Sequence, residues 1–313
     1  MRVSAILALL AGSLATAPLL AQSASSQWSL DTRGDLSAFL DCMEAEGRTI
    51  VSAHRGGPTP GLPENSIEAM DALLHAAPAI MEIDVAQSSD GVLFLMHDDT
   101  LDRTTTGTGE AAAMAWSDLE QLRLRDGSGW TTPYAIPTLE DALRWAKGRT
   151  AVQVDFKRSA SYQDTIALIR AQEMAQNVVL IAYSVEAARR LHELAPEMLV
   201  SLPIDSPGAL EDAVVAGIPA NRLVAFTGTR LPRPDLYAAL DAADVEVIFG
   251  TLGRGDSIDN LIADFGMDER YAELGKAGVD IIATDRAREA AAALALEGRL
   301  AEDGTCGFTR ARR

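Results

Sequence analysis

The sequence of 313 residues contains few aromatic residues, few cysteines and an excess of acidic over basic side chains. Aromatic residues make up 5% of it, cysteine occurs twice, and 27 Lys and Arg stand against 45 Asp and Glu. A formal net charge of −18 repels the phosphates of nucleic acids and of anionic lipids, so neither is an expected partner. Any chemistry at a phosphate therefore needs local positive charge, which a bound cation can supply.

Long apolar runs are also scarce, and the one at the amino terminus has the pattern of a secretory signal. A single basic residue precedes the apolar residues 5–10, and small and apolar residues follow to Ala21. The run is too short and too mixed for a membrane span. We predict removal of residues 1–21, with cleavage after Ala17 as the alternative. The mature domain, residues 22–313, is then expected in the periplasm or outside the cell, without stable membrane insertion and in an oligomeric state that stays open.

The two cysteines lie near opposite ends of the expected mature chain. Cys42 precedes the first strand candidate, and Cys306 lies near the carboxyl terminus. Export would place both in an oxidising compartment, where a disulfide between them would join the two ends of the domain. Two unrelated thiols are the alternative, because the sequence does not give the distance between them.

Short β-branched runs alternate with longer amphipathic stretches between residues 50 and 285, which predicts parallel strands covered by helices. The strand candidates are residues 50–54, 80–85, 92–97, 150–156, 178–183, 199–204, 223–226, 245–249 and 280–284. The helix candidates are residues 66–75, 139–147, 162–175, 185–195, 208–215 and 268–277. Together they predict an α/β fold with a single (β/α)8 TIM-type barrel, in which one of the nine strand candidates must lie outside the barrel.

The third strand candidate departs from this regular alternation in two ways. Only residues 86–91 separate it from the second candidate, which is too few for a crossover helix. The two strands therefore form either an antiparallel hairpin or a parallel pair joined by an extended return. Residues 98–138 then form an insertion after the third strand, rich in Thr and Gly, at a position where barrel enzymes carry substrate loops.

Histidines follow two of the strand candidates directly. His54 and Arg55 end the first strand, and His97 ends the third. An imidazole beside a guanidinium can transfer a proton and contact a phosphate, and two histidines suit a reaction that needs one acid and one base. The alternatives are a capped strand end with a surface Arg and a core His with its hydrogen bonds satisfied. His75 and His192 lie within helix candidates, and we interpret both as structural.

Acidic residues lie inside two other strand candidates. Glu82 and Asp84 are two residues apart, so both side chains lie on one face of the second strand. Two carboxylates on a buried face require a compensating cation, and carboxylates bind hard cations such as Mg²⁺ and Ca²⁺. An edge strand with a solvated face is the alternative. Asp155 and Lys157 repeat the spacing on the fourth strand, where an internal ion pair is the alternative; the whole set predicts metal-assisted attack at phosphorus.

Five motifs, in this order, resemble the glycerophosphodiester phosphodiesterase family over residues 50–290. They are AHRGG, PENSIEAM, MEIDVAQSSDGVLFLMHDDTLDRTTTGTG, IPTLEDAL and GVDIIATD. The resemblance implies a barrel with a divalent cation, Mg²⁺ or Ca²⁺, on Glu82, Asp84 and Asp155. It also implies that His54 and His97 are an acid and base pair and that Arg55 and Lys157 contact the phosphate. Glu64 and Asn65 would form a turn that lines the site. Asn65 would also cap the helix that follows.

The implied function is metal-dependent hydrolysis of small-molecule glycerophosphodiesters to glycerol 3-phosphate and an alcohol. In such enzymes a glycerol hydroxyl attacks its own phosphate, and water then opens the cyclic phosphate. Asp155 stands where the family usually has Glu, so it stays open whether Asp155 binds the cation directly and which cation is bound. VIFGTLG replaces a Trp-containing strand, so the head-group preference also stays open. Two alternative functions remain: a lysophospholipase D or sphingomyelinase D-like phosphodiesterase, and a non-catalytic glycerophosphodiester-binding protein.

Overall fold

Eight parallel strands form a closed barrel in the computed structural model, which describes residues 27–311. The strands are β1 (Gln27–Leu30), β2 (Ile50–Ala53), β3 (Ile80–Gln87), β4 (Leu93–Leu95), β5 (Val152–Phe156), β6 (Val178–Ile181), β7 (Leu199–Pro203), β8 (Leu223–Phe226), β9 (Val247–Gly250), β10 (Ile281–Thr284) and β11 (Phe308–Ala311). The barrel is closed by the pairing of β2 with both β3 and β10. The predicted (β/α)8 barrel is confirmed, whereas the predicted signal, residues 1–21, lies outside the described residues.

Helices cover the outside of the barrel. They are α1 (Leu36–Ala45), α2 (Ile67–Ala76), α3 (Trp116–Leu119), α4 (Leu139–Ala146), α5 (Tyr162–Ala171), α6 (Val185–Leu194), α7 (Pro207–Val215), α8 (Pro234–Asp241), α9 (Ile258–Phe265), α10 (Glu269–Lys276) and α11 (Ala287–Leu296). The predicted helices correspond to α2, α4 to α7 and α10. The Ala-rich α11 has little contrast between polar and apolar faces, which explains why its periodicity gave no signal. Across the described residues, no helix has the length and apolar character needed to cross a bilayer.

The helix cap predicted at Asn65 is wrong by one residue. Ser66 is the N-cap of α2, and its side chain accepts a hydrogen bond from the Ala69 N–H. Asn65 instead lies in the left-handed region, with φ of 55°. Asn tolerates this conformation better than most residues, and the turn leaves its amide free to reach β3.

The third strand candidate, β4, is the one that lies outside the barrel. It pairs antiparallel with β3, Val85 opposite Leu95, so the hairpin forms and the extended return does not. Because β5 occupies the other edge of β3, β4 takes the edge that β2 leaves free beyond Met81. The hairpin therefore brings the chain back over the end of β2, where the Met96 N–H donates to the Asp84 carbonyl at 3.0 Å.

The amino-terminal end of the barrel is closed by the first and last elements of the described residues. β1 pairs antiparallel with β11, and α1 packs beside them, with the rings of Phe39 and Phe308 centred 5.6 Å apart. These elements share one apolar cluster with the first inward-facing residues of the barrel strands, among them Ile50, Ile80 and Ile281. Cys42 and Cys306 form a disulfide across this region, with Cα atoms 5.8 Å apart.

The insertion, residues 98–138, packs against the β3–β4 hairpin around its own apolar cluster. Phe94 of β4 contacts this cluster, to which Leu101, Leu119 and Leu124 contribute. Asp126 fastens the insertion to the loop after β2, since its Oδ2 accepts the Gly61 N–H at 2.9 Å. The insertion is thereby held against the carboxyl end of the barrel.

Candidate active site

Three carboxylates meet inside the carboxyl end of the barrel. Glu82 and Asp84 project from β3, and the pairing of β3 with β5 places Asp155 directly beside Asp84. Each offers an oxygen within 4.8 Å of the others, and all three residues are buried. The spacing of two residues along a strand and the strand register together produce this cluster.

Burial and mutual repulsion oppose ionisation of all three carboxyl groups at once unless a cation lies among them. Burial and the neighbouring Asp84 raise the pKa of Glu82 to about 8. Burial also raises the pKa of Asp155, whereas Lys157 and Asn65 outweigh the effect of burial on Asp84 and hold its pKa below the ordinary value. Oδ1 of Asp155 is buried and has no hydrogen-bond partner among the described residues. An unsatisfied carboxylate oxygen beside two further carboxylates fits a hard divalent cation.

Each of the two predicted histidines is held by one carboxylate. His54 follows β2, and its Nδ1 lies 2.6 Å from Oδ1 of Asp285, which follows β10. His97 follows β4, and its Nδ1 lies 2.7 Å from Oδ1 of Asp98. Burial lowers the pKa of His54, but the hydrogen bond to Asp285 and the charge of Glu82 outweigh it, so the pKa lies above 6.5. With Nδ1–H donated to a carboxylate, proton transfer falls to Nε2 of each ring, which in His54 also accepts a hydrogen bond from Nε of Arg55 at 3.4 Å.

Two cationic side chains flank the carboxylates. Nζ of Lys157 lies 2.5 Å from Oδ1 of Asp84 and 2.6 Å from Oδ2 of Asp155. Arg55 has φ of 52°, which directs its backbone N–H to Oε2 of Glu82 at 2.7 Å. Its guanidinium donates to Glu64 at 2.9 Å and lies 3.8 Å from Asp84. Two positive charges thus lie directly beside the three carboxylates.

The Glu64–Asn65 turn contacts both a carboxylate and a guanidinium of the site. The Asn65 amide donates to Oδ2 of Asp84 at 2.6 Å, and its carbonyl oxygen accepts the Asp84 backbone N–H at 3.0 Å. Arg103, from the insertion, donates to Glu64 at 2.7 and 2.8 Å and to Asp98 at 2.6 and 2.8 Å. The partner of His97 is therefore fixed to this turn through one guanidinium.

These groups surround a cavity of about 190 Å³. Six of the predicted site residues line it, namely His54, Glu82, Asp84, His97, Asp155 and Lys157. Its opposite wall is apolar and includes Ile181, Phe226 and Leu252, and Tyr183 stands at its mouth with 70% of its surface exposed. Arg55, Glu64 and Asn65 reach the same site through the contacts above, whereas Cys42 and Cys306 lie at the other end of the barrel.

Three residues of the site were not predicted from the sequence. Asp285 is the last residue of the GVDIIATD motif and follows a strand, which is a position where a polar residue signals function. Arg103 lies in the insertion five residues after Asp98 and carried no comparable signal. Gln153, opposite Glu82 on β5, also lines the cavity, and its Nε2 is buried without a partner among the described residues.

Comparison with known proteins places the chain in one family. Residues 54–202 match the model of the glycerophosphoryl diester phosphodiesterase family. A crystal structure of a glycerophosphoryl diester phosphodiesterase from Parabacteroides distasonis is 30% identical, with a TM-score of 0.80, covering 92% of this chain and all of that one.

Curated relatives match over shorter segments. The Bacillus subtilis protein YhdW is 28% identical over 156 residues, which are 47% of this chain and 63% of that protein. Human glycerophosphodiester phosphodiesterase 1 is 34% identical over 110 residues, which are 33% of this chain and 32% of that enzyme. The matches thus span less than two thirds of both relatives. The chain, matched over its length by the Parabacteroides structure, belongs to the glycerophosphoryl diester phosphodiesterase family.

Proposed function

We propose that this protein hydrolyses glycerophosphodiesters to glycerol 3-phosphate and an alcohol, with a divalent cation as cofactor. The observation that carries the proposal is the presence, in one cavity, of two carboxylate-held histidines beside three clustered carboxylates and a lysine. A phosphodiesterase from Oleispira antarctica, 20% identical with a TM-score of 0.60 and a match covering 79% of this chain and 97% of that one, was solved with the product sn-glycerol-3-phosphate. That complex supports a glycerol phosphate as the ligand of this barrel as well.

Glu82, Asp84 and Asp155 would hold the cation, which we propose to be Mg²⁺ or Ca²⁺. Such an ion supplies positive charge that stabilises the oxygens of a phosphate under attack. Arg55 and Lys157 add fixed positive charge beside the carboxylates, so an anionic diester can enter a protein of net charge −18. The charged groups of the chain thereby bind the phosphate and set its orientation.

The two histidines carry the protons. In the mechanism that the family resemblance implies, a glycerol hydroxyl attacks phosphorus, its proton passes to Nε2 of one histidine, and the bond from phosphorus to the alcohol oxygen breaks. The other histidine donates its Nε2 proton to the departing alcohol. Water then opens the cyclic phosphate with the two proton roles reversed. Asp285 and Asp98 keep each ring oriented through both steps.

Neither alternative function gains support from a specific observation. A binding protein has no use for two histidines whose Nδ1 atoms are each fixed by a carboxylate. The named relatives are glycerophosphodiester phosphodiesterases, which does not favour lysophospholipase D or sphingomyelinase D-like chemistry. We further propose export to the periplasm or the outside of the cell, which the Cys42–Cys306 disulfide supports because such bonds persist in oxidising compartments.

Chelation tests the proposed function directly. Exhaustive treatment with EDTA should abolish release of glycerol 3-phosphate from glycerophosphocholine, and added Mg²⁺ or Ca²⁺ should restore it. Asp155→Asn should need a higher cation concentration for half-maximal rate, because it removes one of three charges around the ion. Hydrolysis that persists after complete removal of metal, verified by elemental analysis, would contradict the cation's role.

A further inference from the structure

A buried carboxylate outside the cavity is connected to His54 by an unbroken series of hydrogen bonds. Asp259 lies in the first turn of α9 and is 1% exposed. Its partners include the backbone of Asp285, the residue that holds His54. We propose that Asp259 is a positioning residue for His54 that acts through Asp285. The inference rests on the proposed function, because it assigns the residue to the same reaction.

Hydrogen-bond partners occupy both carboxylate oxygens of Asp259. Oδ1 accepts from the Tyr271 hydroxyl at 2.6 Å and from the Thr284 hydroxyl at 2.8 Å. Oδ2 lies 2.9 Å from the Thr284 hydroxyl and accepts the Asp285 backbone N–H at 2.7 Å. The Thr284 hydroxyl accepts from the Arg286 N–H, so its own proton is directed to Asp259. Both oxygens accept hydrogen bonds, so the NH2 group of Asp259→Asn replaces one acceptor. At the Oδ2 position it would face the Asp285 N–H, and at the Oδ1 position the Tyr271 hydroxyl would have to turn from donor to acceptor.

The same contacts determine where the Asp285 carboxylate lies. The backbone N–H of Asp285 is fixed by Asp259, and its Oδ2 accepts the Gly253 N–H at 2.9 Å. Gly253 belongs to the loop after β9, and the Asp259 N–H donates to the carbonyl of Thr251 in that loop at 2.9 Å. The first turn of α9 therefore joins the loops after β9 and β10. The other oxygen of Asp285, Oδ1, lies 2.6 Å from Nδ1 of His54.

A small displacement of the Asp285 carboxylate should affect proton transfer by His54. A catalytic group must stay within about 0.5 Å of its productive position, and supporting hydrogen bonds supply that precision. If Asp285 turned away, the His54 ring would lose the acceptor that fixes its tautomer, with Nε2 as the proton-transferring atom. Asp259 has no contact with the cavity, so its effect should fall on the rate of the chemical step rather than on substrate binding.

A double-mutant cycle tests the proposal with the full-length protein, saturating Mg²⁺ and glycerophosphocholine. Asp259→Asn should lower kcat by about 10- to 100-fold, the usual effect of losing a supporting partner, with KM changed less than about twofold. Asp285→Asn should lower kcat further, because Asp285 contacts the His54 ring directly. The double variant should be no slower than Asp285→Asn alone, because both changes act on one histidine.

Asp268→Asn is the matched control. Asp268 follows α9, is half-exposed, and pairs with Arg286 at 2.8 Å in the loop that also carries Asp285, but among the described residues its side chain makes no hydrogen bond to Asp259, Asp285 or His54. Its kcat should stay near the wild-type value. The Nδ1 proton of His54 should give a low-field ¹H resonance in the wild type and in Asp268→Asn, and this signal should be lost or shifted in Asp259→Asn.

The outcomes separate the inference from the proposed function. A wild-type protein without hydrolytic activity overturns the proposed function. If the wild type is active, two results overturn the role of Asp259. One is a kcat of Asp259→Asn within twofold of the wild-type value, and the other is additive effects in the double variant. If Asp259→Asn does not fold, Tyr271→Phe removes only one donor to Asp259 and should give a smaller loss of kcat in the same direction. An unchanged kcat and an unchanged His54 resonance in that variant also overturn the inference.

Discussion

At the scale of single residues, each of the two histidines of the candidate active site is paired with a carboxylate. His97 lies at the end of a hairpin strand that does not belong to the barrel, and Asp98, itself bound by Arg103, holds Nδ1 of the ring. His54 lies on a barrel strand and is fixed from β10. Each ring therefore has its own carboxylate partner, Asp98 for His97 and Asp285 for His54, although Arg103, Glu64 and Arg55 join the surroundings of the two rings.

His97→Ala should leave the fold intact and reduce kcat by about 10²- to 10⁴-fold, the usual contribution of a general acid or base. The ring is partly exposed and makes no contribution to the apolar clusters, so circular dichroism and thermal unfolding should be close to wild type. His75→Ala, on the surface of α2 and far from the cavity lining, is the matched control and should retain wild-type turnover. A His97→Ala rate near that of the wild type would refute its assignment.

At the scale of elements, α1 meets the barrel through acidic side chains. Burial, followed by a hydrogen bond to Asp41 of α1 and the charge of Asp280, raises the pKa of Glu246 to about 8. Glu246 is 8% exposed and precedes β9 at the amino-terminal end of the barrel. On the same helix, the neighbouring Asp241 and burial raise the pKa of Glu44 to about 7. This end of the barrel therefore holds protons at pH values where an unfolded chain would have released them.

The contribution of Glu246 to stability should fall as the pH rises. The folded state keeps the proton up to about pH 8, whereas the unfolded chain loses it near 4.5, so stability is greatest below 4.5 and is lost as the pH rises through 8. Glu246→Gln removes this titration with little change in shape. It should raise Tm at pH 8.5 by about 2 °C or more and have much less effect at pH 5.

The exposed Glu211→Gln on α7 is the control for that change and should alter Tm equally at both pH values. Calorimetry from pH 5 to 8.5 supplies the measurement. A difference in Tm between wild type and Glu246→Gln that does not vary with pH would show that Glu246 is ionised in the folded protein.

The whole molecule separates stability from catalysis along the barrel axis. The carboxyl end carries the cavity, whereas the amino-terminal end is closed by β1, β11 and α1 around a separate apolar cluster. The Cys42–Cys306 disulfide spans a sequence separation of 264 residues at this closed end. A bond that closes so long a loop restricts the unfolded chain strongly.

Replacing both cysteines by serine should lower the free energy of unfolding by about 2–5 kcal/mol while leaving kcat near wild type at temperatures where the variant is folded. Urea unfolding of the variant, and of the wild type with and without reductant, measures the loss. Equal midpoints for all of them would mean that the disulfide does not stabilise the closed end. A large drop in kcat of the folded variant would contradict the separation of the two ends.

Much of the active site follows from local rules that the sequence obeys. Alternation along a strand puts Glu82 and Asp84 on one face, and the β-branched runs with their helices specify a parallel barrel whose strand ends converge. These patterns extend over only a few residues, so periodicity and spacing are enough to identify them. The family motifs add Arg55, Lys157 and the Glu64–Asn65 turn, whose contacts the structure brings to the same place.

Only the tertiary structure decided which distant residues meet. Closing the barrel places Asp285 beside His54 across 231 residues, and the insertion brings Arg103 to Glu64 across 39. The sequence of β4 did not decide its direction, because a short apolar strand fits either orientation. Its antiparallel direction follows from pairing with the free edge of β3. Local patterns specify which residues point inward, but contacts between distant segments depend on the register and closure of the whole barrel, which no short stretch of sequence encodes.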